Sequence, residues 1–223
     1  MKRFGAFGIG AMACALALWQ GVAVAAPETP GGPARWALAG AAASPEVHEV
    51  VAWVLSSHDH GGRPFAIVDK KAARLYVFGP EGGLRGAAPA LLGLAPGDHG
   101  LMPGVRRDVA SLAPHERTTP AGRFVSEPGR NLQGEPVVWF DYQAALAIHR
   151  LRPAAPAERR PQRLASVTAA DNRISLGCVV VPVVFYEHVV QPVLGQGYSV
   201  TYVLPEGRPA RELFGGLNGE AGL

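Results

Sequence analysis

The apolar and polar positions change rhythm along the chain. After a long small-residue stretch, Ser44-Pro45-Glu46 reads as a helix start: a capping hydroxyl, a proline at the first helical position and an acid in the first turn. Val47, Val50, Val51 and Val54 follow at helical spacing, so the pattern predicts a helix that fades near Ser56-Ser57, before Gly61-Gly62. The period then shortens. Residues 64–68 (PFAIV) and 74–78 (RLYVF) are β-type runs around a polar turn, Asp69-Lys70-Lys71-Ala72. Residues 79–104 are glycine-rich with apolar stretches. Thr118 to Phe124 leads from a turn into a strand. Residues 137–140 and 145–148 suit a hairpin with a four-residue loop, Asp141 to Ala144. Residues 150–163 read as a loop, Val179 to Val181 is apolar, Pro182 opens a second helix, and Tyr198 to Leu204 is a last strand. The tail from Pro205 has few anchors and is expected to fray.

Many short strands, two helices and turn signals every 8 to 15 residues predict a mainly β fold of sandwich or barrel type with a few helices. No βαβ rhythm and no internal repeat are visible.

Composition narrows the class. The 223 residues are 48% apolar and 17% charged, which excludes a disordered polymer, and 28 glycines without a three-residue period exclude collagen. Lys2 and Arg3 precede an uncharged run to Pro27 with an apolar centre and a small-x-small end, Ala23-Val24-Ala25. This is the pattern of a secretory signal peptide over residues 1–25; the alternative is an uncleaved membrane anchor. Residues 26–43, rich in Ala, Gly and Pro, read as a linker, 44–62 as the first helix and its turn, 63–205 as the folded domain and 206–223 as a tail. Without the leader, 19 basic and 18 acidic side chains remain, so the formal charge of +3 is no argument for nucleic-acid binding.

Of the two cysteines, Cys14 lies in the leader, so cleavage leaves Cys178 alone. A lone thiol in an exported chain is an intermolecular disulfide, a buried inert residue or a reactive group. Its neighbours decide among these, although a cysteine and a distant histidine alone are a weak signal. Ser175-Leu176-Gly177-Cys178 runs into an apolar strand, and Ile148-His149 stands at the end of another. A thiol nucleophile needs a base, which histidine supplies near neutral pH. Glycine before the cysteine lets backbone N–H groups turn toward an oxyanion.

These residues resemble the L,D-transpeptidase (YkuD-like) catalytic domain, whose mark is a histidine after an apolar strand and then Ser/Thr-x-Gly-Cys. Residues 66–78 (AIVDKKAARLYVF) resemble the family's opening strand pair, and Thr119-Pro120-Ala121-Gly122-Arg123-Phe124 its Thr-Pro-x-Gly-x-Phe element. The resemblance covers roughly residues 64–204. It implies the family's β-sandwich or barrel-like catalytic fold and an exported, periplasmic enzyme of peptidoglycan. In such an enzyme the cysteine attacks a tetrapeptide stem, D-Ala leaves, and an amine on a second stem or on an acceptor protein resolves the thioester. Cys178 is then the nucleophile and His149 the base, with the second imidazole nitrogen held by a backbone carbonyl. N–H groups near Leu176, Gly177 and Cys178 form the oxyanion hole, and Ser175 shapes the loop. Hydrolysis by water at the same residues and a non-catalytic peptidoglycan-binding module are the alternatives. No cofactor, no nucleic-acid partner and no stable membrane insertion after cleavage are implied.

The chain departs from the family pattern in three places. Leu176 stands where histidine is common. Val180 stands where Arg or Asn is common, a contact that Arg173 could supply. His149 and Cys178 are 29 positions apart, longer than usual. The added length, residues 150–163, carries Arg150, Arg152, Arg159, Arg160 and Arg163 against one Glu158. These arginines either attract substrate carboxylates or decorate a solvated loop. Arg150, Arg173, Tyr142 at the hairpin tip, and Leu176 are the candidate substrate-binding residues. His58-Asp59-His60, with His99 or His115, could offer metal ligands, but no established spacing is present and no metal is expected. His188 beside Glu187 reads as surface packing.

Overall fold

The computed structural model describes Met1, residues 43–100 and residues 111–214. The leader, most of the linker and the end of the tail lie outside the described residues. The body is mainly β with a few helices. In chain order its elements are α1 (Pro45–Ser57), β1 (Phe65–Asp69), β2 (Arg74–Phe78), β3 (Leu84–Pro89), β4 (Leu92–Gly93), β5 (Gly122–Arg130), β6 (Pro136–Asp141), β7 (Leu146–Arg150) and α2 (Arg160–Leu164). There follow β8 (Arg173–Ser175), β9 (Val179–Val181), α3 (Val183–Phe185), α4 (Gln191–Leu194), β10 (Ser199–Val203) and α5 (Ala210–Leu213).

Eight strands form one sheet in the order β3-β2-β1-β10-β5-β6-β7-β9. The nine-residue β5 serves two halves of it. Its first part, Gly122 to Ser126, pairs with β10, and its second, Glu127 to Arg130, pairs with β6. The sheet then nearly closes on itself. Leu91, just past β3, exchanges hydrogen bonds of 2.7 and 2.9 Å with Val180 of β9 at the opposite edge. A closed sheet leaves few unpaired edge groups. Two pairings within it, β1 with β10 and β7 with β9, are parallel, as is β4 with β8 in a separate ribbon. A parallel pair needs a crossover, and residues 151–178 make the one between β7 and β9.

Burial on both faces explains why β1 and β2 are apolar apart from Asp69 and Arg74 at their turn ends. Ala66, Val68, Leu75 and Val77 face the barrel interior with Val138, Phe140, Ile148, Val179, Val181 and Val203. Phe65, Ile67, Tyr76 and Phe78 face the other way, against the four valines of α1 and against Ala210 and Phe214. Burying each valine contributes roughly 1.5–3 kcal/mol. At its start α1 is capped as the sequence predicts, with Ser44 Oγ accepting from the Val47 N–H at 3.3 Å. It ends on His58 in the left-handed region, φ 55°. The late helix begins after Pro182, but its middle, Tyr186–Val190, is π-helical, and the Gln191 N–H donates five residues back to Tyr186 O. Pro192 accounts for the wider turn: it has no N–H to give and its ring crowds the preceding carbonyls.

Several expectations are corrected. Residues 84–89 of the glycine-rich stretch form β3. The hairpin turn is 142–145, one residue later than expected; Asp141 Oδ1 accepts from the Ala144 N–H and Ala145 takes a positive φ of 55°. Short helical turns at Pro156–Glu158 and Arg160–Leu164 break the expected loop. The tail is anchored as far as Phe214, which stacks on Trp53 at 5.7 Å between ring centroids.

Candidate active site

The parallel pairing of β7 and β9 builds the site. Ile148 faces Val179 and His149 faces Val180 in register. Ile148, Val179 and Val181 point into the barrel. His149 and Val180 therefore point outward, and Cys178, two residues before Val180, shares that outer face. Cys178 stands one residue before β9 and His149 lies within β7, so this pairing brings together two segments whose key residues are 29 positions apart in the chain. The crossover folds back over them: Leu164 of α2, with Leu151 and Ile174, packs on Val180 and Leu91.

His149 is buried, with 8% of its surface exposed. Its Nδ1 lies 2.8 Å from the Arg150 carbonyl. A carbonyl only accepts, so Nδ1 carries the proton and Nε2 keeps the lone pair. Burial comes first in holding the imidazole pKa down at about 4; the cations Arg152 and Arg160 add to it, while the Arg150 carbonyl and Glu135 oppose it. Burial likewise pushes the Cys178 thiol up, against the Ala147 N–H and the same two arginines. Sγ lies 3.6 Å from the Ala145 carbonyl. At neutral pH the resting pair is thiol and neutral imidazole.

The loop before Cys178 is locked by its own side chains. Ser175 Oγ accepts from the Gly177 N–H at 3.1 Å and donates to the Cys178 carbonyl at 2.7 Å. The Gly177 N–H is therefore committed to the loop, which corrects its expected place among oxyanion donors. Gly177 itself has no substitute. Its φ is +128°, and a Cβ there would lie 2.6 Å from the Thr118 carbonyl oxygen. From the other side Gly93 receives the same segment, since a Cβ on it would stand 2.6 Å from Thr119 N. Between the two glycines the buried Thr119 hydroxyl accepts from the Gly93 N–H at 2.9 Å and donates to the Gly177 carbonyl at 3.0 Å.

Behind Thr119 lies a charge network that sequence reading missed. Lys70, fully buried, donates to the carbonyls of Thr119 (2.9 Å) and Gly97 (2.6 Å) and to Asp98 Oδ1 (2.8 Å). Asp98 also accepts from the N–H groups of Glu206 and Gly207, at 2.8 and 3.0 Å. Burial lowers the Lys70 pKa, with Asp98 and Glu206 resisting. Burial alone would raise the Asp98 carboxyl, but the Lys70 hydrogen bond and the two N–H groups hold it below its ordinary value. A lysine in a β-turn carries no signal of such a role, because its hydrogen-bond partners are 27 to 49 positions away in the chain and Glu206 is farther still.

The remaining candidates disperse. Arg173 bonds Glu206 and the Lys70 carbonyl, so it serves this network rather than the thiol. Arg150 is held by Glu135 at 3.0 Å and Glu187 at 3.1 Å. Tyr142 is 70% exposed at the hairpin tip, edge-on to Trp139. Leu176 is half-buried beside Gly177. His60 is buried between the Val54 and Pro80 carbonyls, and Asp59 holds Arg123 and Tyr202. Among the described residues no group of three or more His, Cys, Asp or Glu could hold a metal ion.

No protein-family model matches the chain, and no curated protein matches it.

Proposed function

We propose that this protein is an exported, cysteine-dependent peptidoglycan L,D-transpeptidase and that its barrel-like body is the catalytic fold of that family. The observation that carries the reading is the β7–β9 pairing, which sets Cys178, the residue before β9, beside the segment that holds His149, with Sγ 3.6 Å from the Ala145 carbonyl and His149 Nδ1 fixed by the Arg150 carbonyl. That bond presents Nε2 as the proton acceptor, the arrangement a thiol nucleophile requires.

The reaction then runs from a neutral pair. His149 Nε2 takes the thiol proton as Sγ attacks the carbonyl of the third residue of a tetrapeptide stem. The oxyanion is held by backbone N–H groups of Leu176 and Cys178, since that of Gly177 is engaged. Collapse breaks the peptide bond, His149 returns its proton to the departing D-Ala amine, and a thioester remains on Cys178. An amine on a second stem or an acceptor protein attacks the thioester and gives its proton to His149, which passes it to the departing Cys178 thiolate, so thiol and neutral imidazole are restored. Ser175 and Gly177 keep the loop in shape throughout. The partners are peptidoglycan stems in the periplasm.

One observation favours a second reading. The high thiol and low imidazole pKa of the resting pair would also suit a peptidoglycan-binding module that does no chemistry. Incubation with disaccharide-tetrapeptide separates the two. The transpeptidase releases D-Ala and forms cross-linked dimer, and Cys178→Ala does neither; tripeptide product without dimer indicates hydrolysis, and unchanged substrate with retained binding indicates the module.

A further inference from the structure

The five arginines of residues 150–163 do not behave alike. Arg150 spends its guanidinium on Glu135 and Glu187. Arg163 donates to the carbonyls of Glu158 and Asp171, both at 2.9 Å. Arg152 and Arg160 differ in two respects. Their charges, alone among the arginines of the described residues, act on both Cys178 and His149. Among the described residues their hydrogen-bonding capacity is also largely unused. Arg152 Nε lies 2.8 Å from Glu135 Oε2 in an ion pair but is not aligned for a hydrogen bond, and this buried nitrogen has no other partner among the described residues. Arg160 spends only Nε, on Glu158. Each guanidinium thus keeps N–H donors in reserve while 29% and 22% of its side-chain surface remains exposed.

Their placement is set by the fold. Arg152 follows directly on the end of β7, two residues after Arg150 and three after His149. Arg160 opens α2, whose Leu164 packs on Val180, the register partner of His149. Both cations lie on this crossover, and their charge bears on Cys178 and His149. Two half-buried guanidiniums with spare parallel donors match a carboxylate, which each can grip through two N–H groups.

We infer that Arg152 and Arg160 form an anion-recognition subsite beside Cys178 that takes a carboxylate of the acyl donor. The inference rests on the transpeptidase reading for the identity of the donor, but the subsite itself does not need it. A bound carboxylate would do more than orient the stem. It would offset the positive field that adds to burial in lowering the His149 pKa, so an anionic donor strengthens the base that activates the thiol and a neutral one does not. Glu135, the one carboxylate acting on His149, already works in that direction.

The test compares two reagents of similar size on the intact chain, anionic iodoacetate and neutral iodoacetamide. The ratio of their Cys178 alkylation rates is normalised to the ratio in the same chain unfolded in urea. The subsite predicts a folded ratio raised by about tenfold, within the range that focused charge gives, and falling with salt. Arg152→Gln with Arg160→Gln returns the ratio to the unfolded value, while the double lysine variant keeps part of the preference. A ratio equal to that of the unfolded chain, or unchanged in the double glutamine variant, overturns the inference. If the folded thiol resists both reagents, the His149 imidazole resonance decides. Trifluoroacetate, a carboxylate that stays ionised through this low midpoint, must raise the midpoint against chloride at equal ionic strength in the parent and not in the double glutamine variant, and no rise specific to the carboxylate overturns the inference. A chain that prefers iodoacetate yet releases no D-Ala keeps the subsite and loses the transpeptidase reading.

Discussion

The hydroxyl of Thr119 is bonded to the carbonyl of Gly177, 58 residues further along the chain and next to the only thiol among the described residues. The same oxygen accepts from the Gly93 N–H, so one buried side chain ties three segments together. Thr119→Val keeps the shape and removes both bonds. It leaves a buried carbonyl and a buried N–H unpaired, at a cost of about 1–3 kcal/mol each. Urea unfolding should show a loss of that order, with Thr119→Ser close to the parent. An isostable valine variant would mean that the hydroxyl does not hold the loop.

Lys70 extends the same tie to the chain end. Replacing it with methionine leaves Asp98 without its cation, leaves Glu206 with Arg173 alone, and frees the Thr119 carbonyl. Breaking a buried pair from one side costs about 3–5 kcal/mol. The expected result is a strongly lowered unfolding midpoint, part of which Asp98→Asn in the same chain restores. A Lys70→Met protein as stable as the parent would show that the network contributes no net stability.

His149 sets a pH window. Its folded pKa of about 4 lies below the ordinary 6.5, so below pH 6.5 the unfolded chain binds a proton that the folded chain refuses. Stability is therefore complete above pH 6.5 and is lost as pH falls toward 4. The full loss is about 3 kcal/mol from this group. Chemical unfolding at pH 4.5 and 7 should show a difference that is smaller in His149→Gln. Equal differences in the two chains would place the imidazole in contact with water.

Much of this architecture was legible in the residues. The cap at Ser44 and the spacing of four valines define α1, and the β1–β2 and β6–β7 hairpins follow from apolar runs around polar turns. The Ser175 to Cys178 loop and His149 stood out for their chemistry. What was hidden depends on contacts distant in sequence. β3, with the sequence LRGAAP, has no alternation to read and becomes a strand because β2 offers it an edge. The tail holds because Phe214 finds Trp53, and Arg173 is drawn from the thiol by Glu206. Among clustered arginines, composition could not separate Arg150, which is spent on glutamates, from Arg152 and Arg160, whose fields reach the thiol.

The central claim is that Cys178 becomes an acyl-carrying nucleophile with His149 as its base. Intact-protein mass after mixing the chain with a carbapenem tests it most directly, because such a β-lactam acylates a thiolate only where base and oxyanion donors are assembled. The account predicts a mass increase equal to one drug molecule, absent in Cys178→Ala and slowed at least about 100-fold in His149→Gln, the low end of what a general base contributes. A folded chain whose mass does not change, or one acylated equally fast without His149, would contradict it.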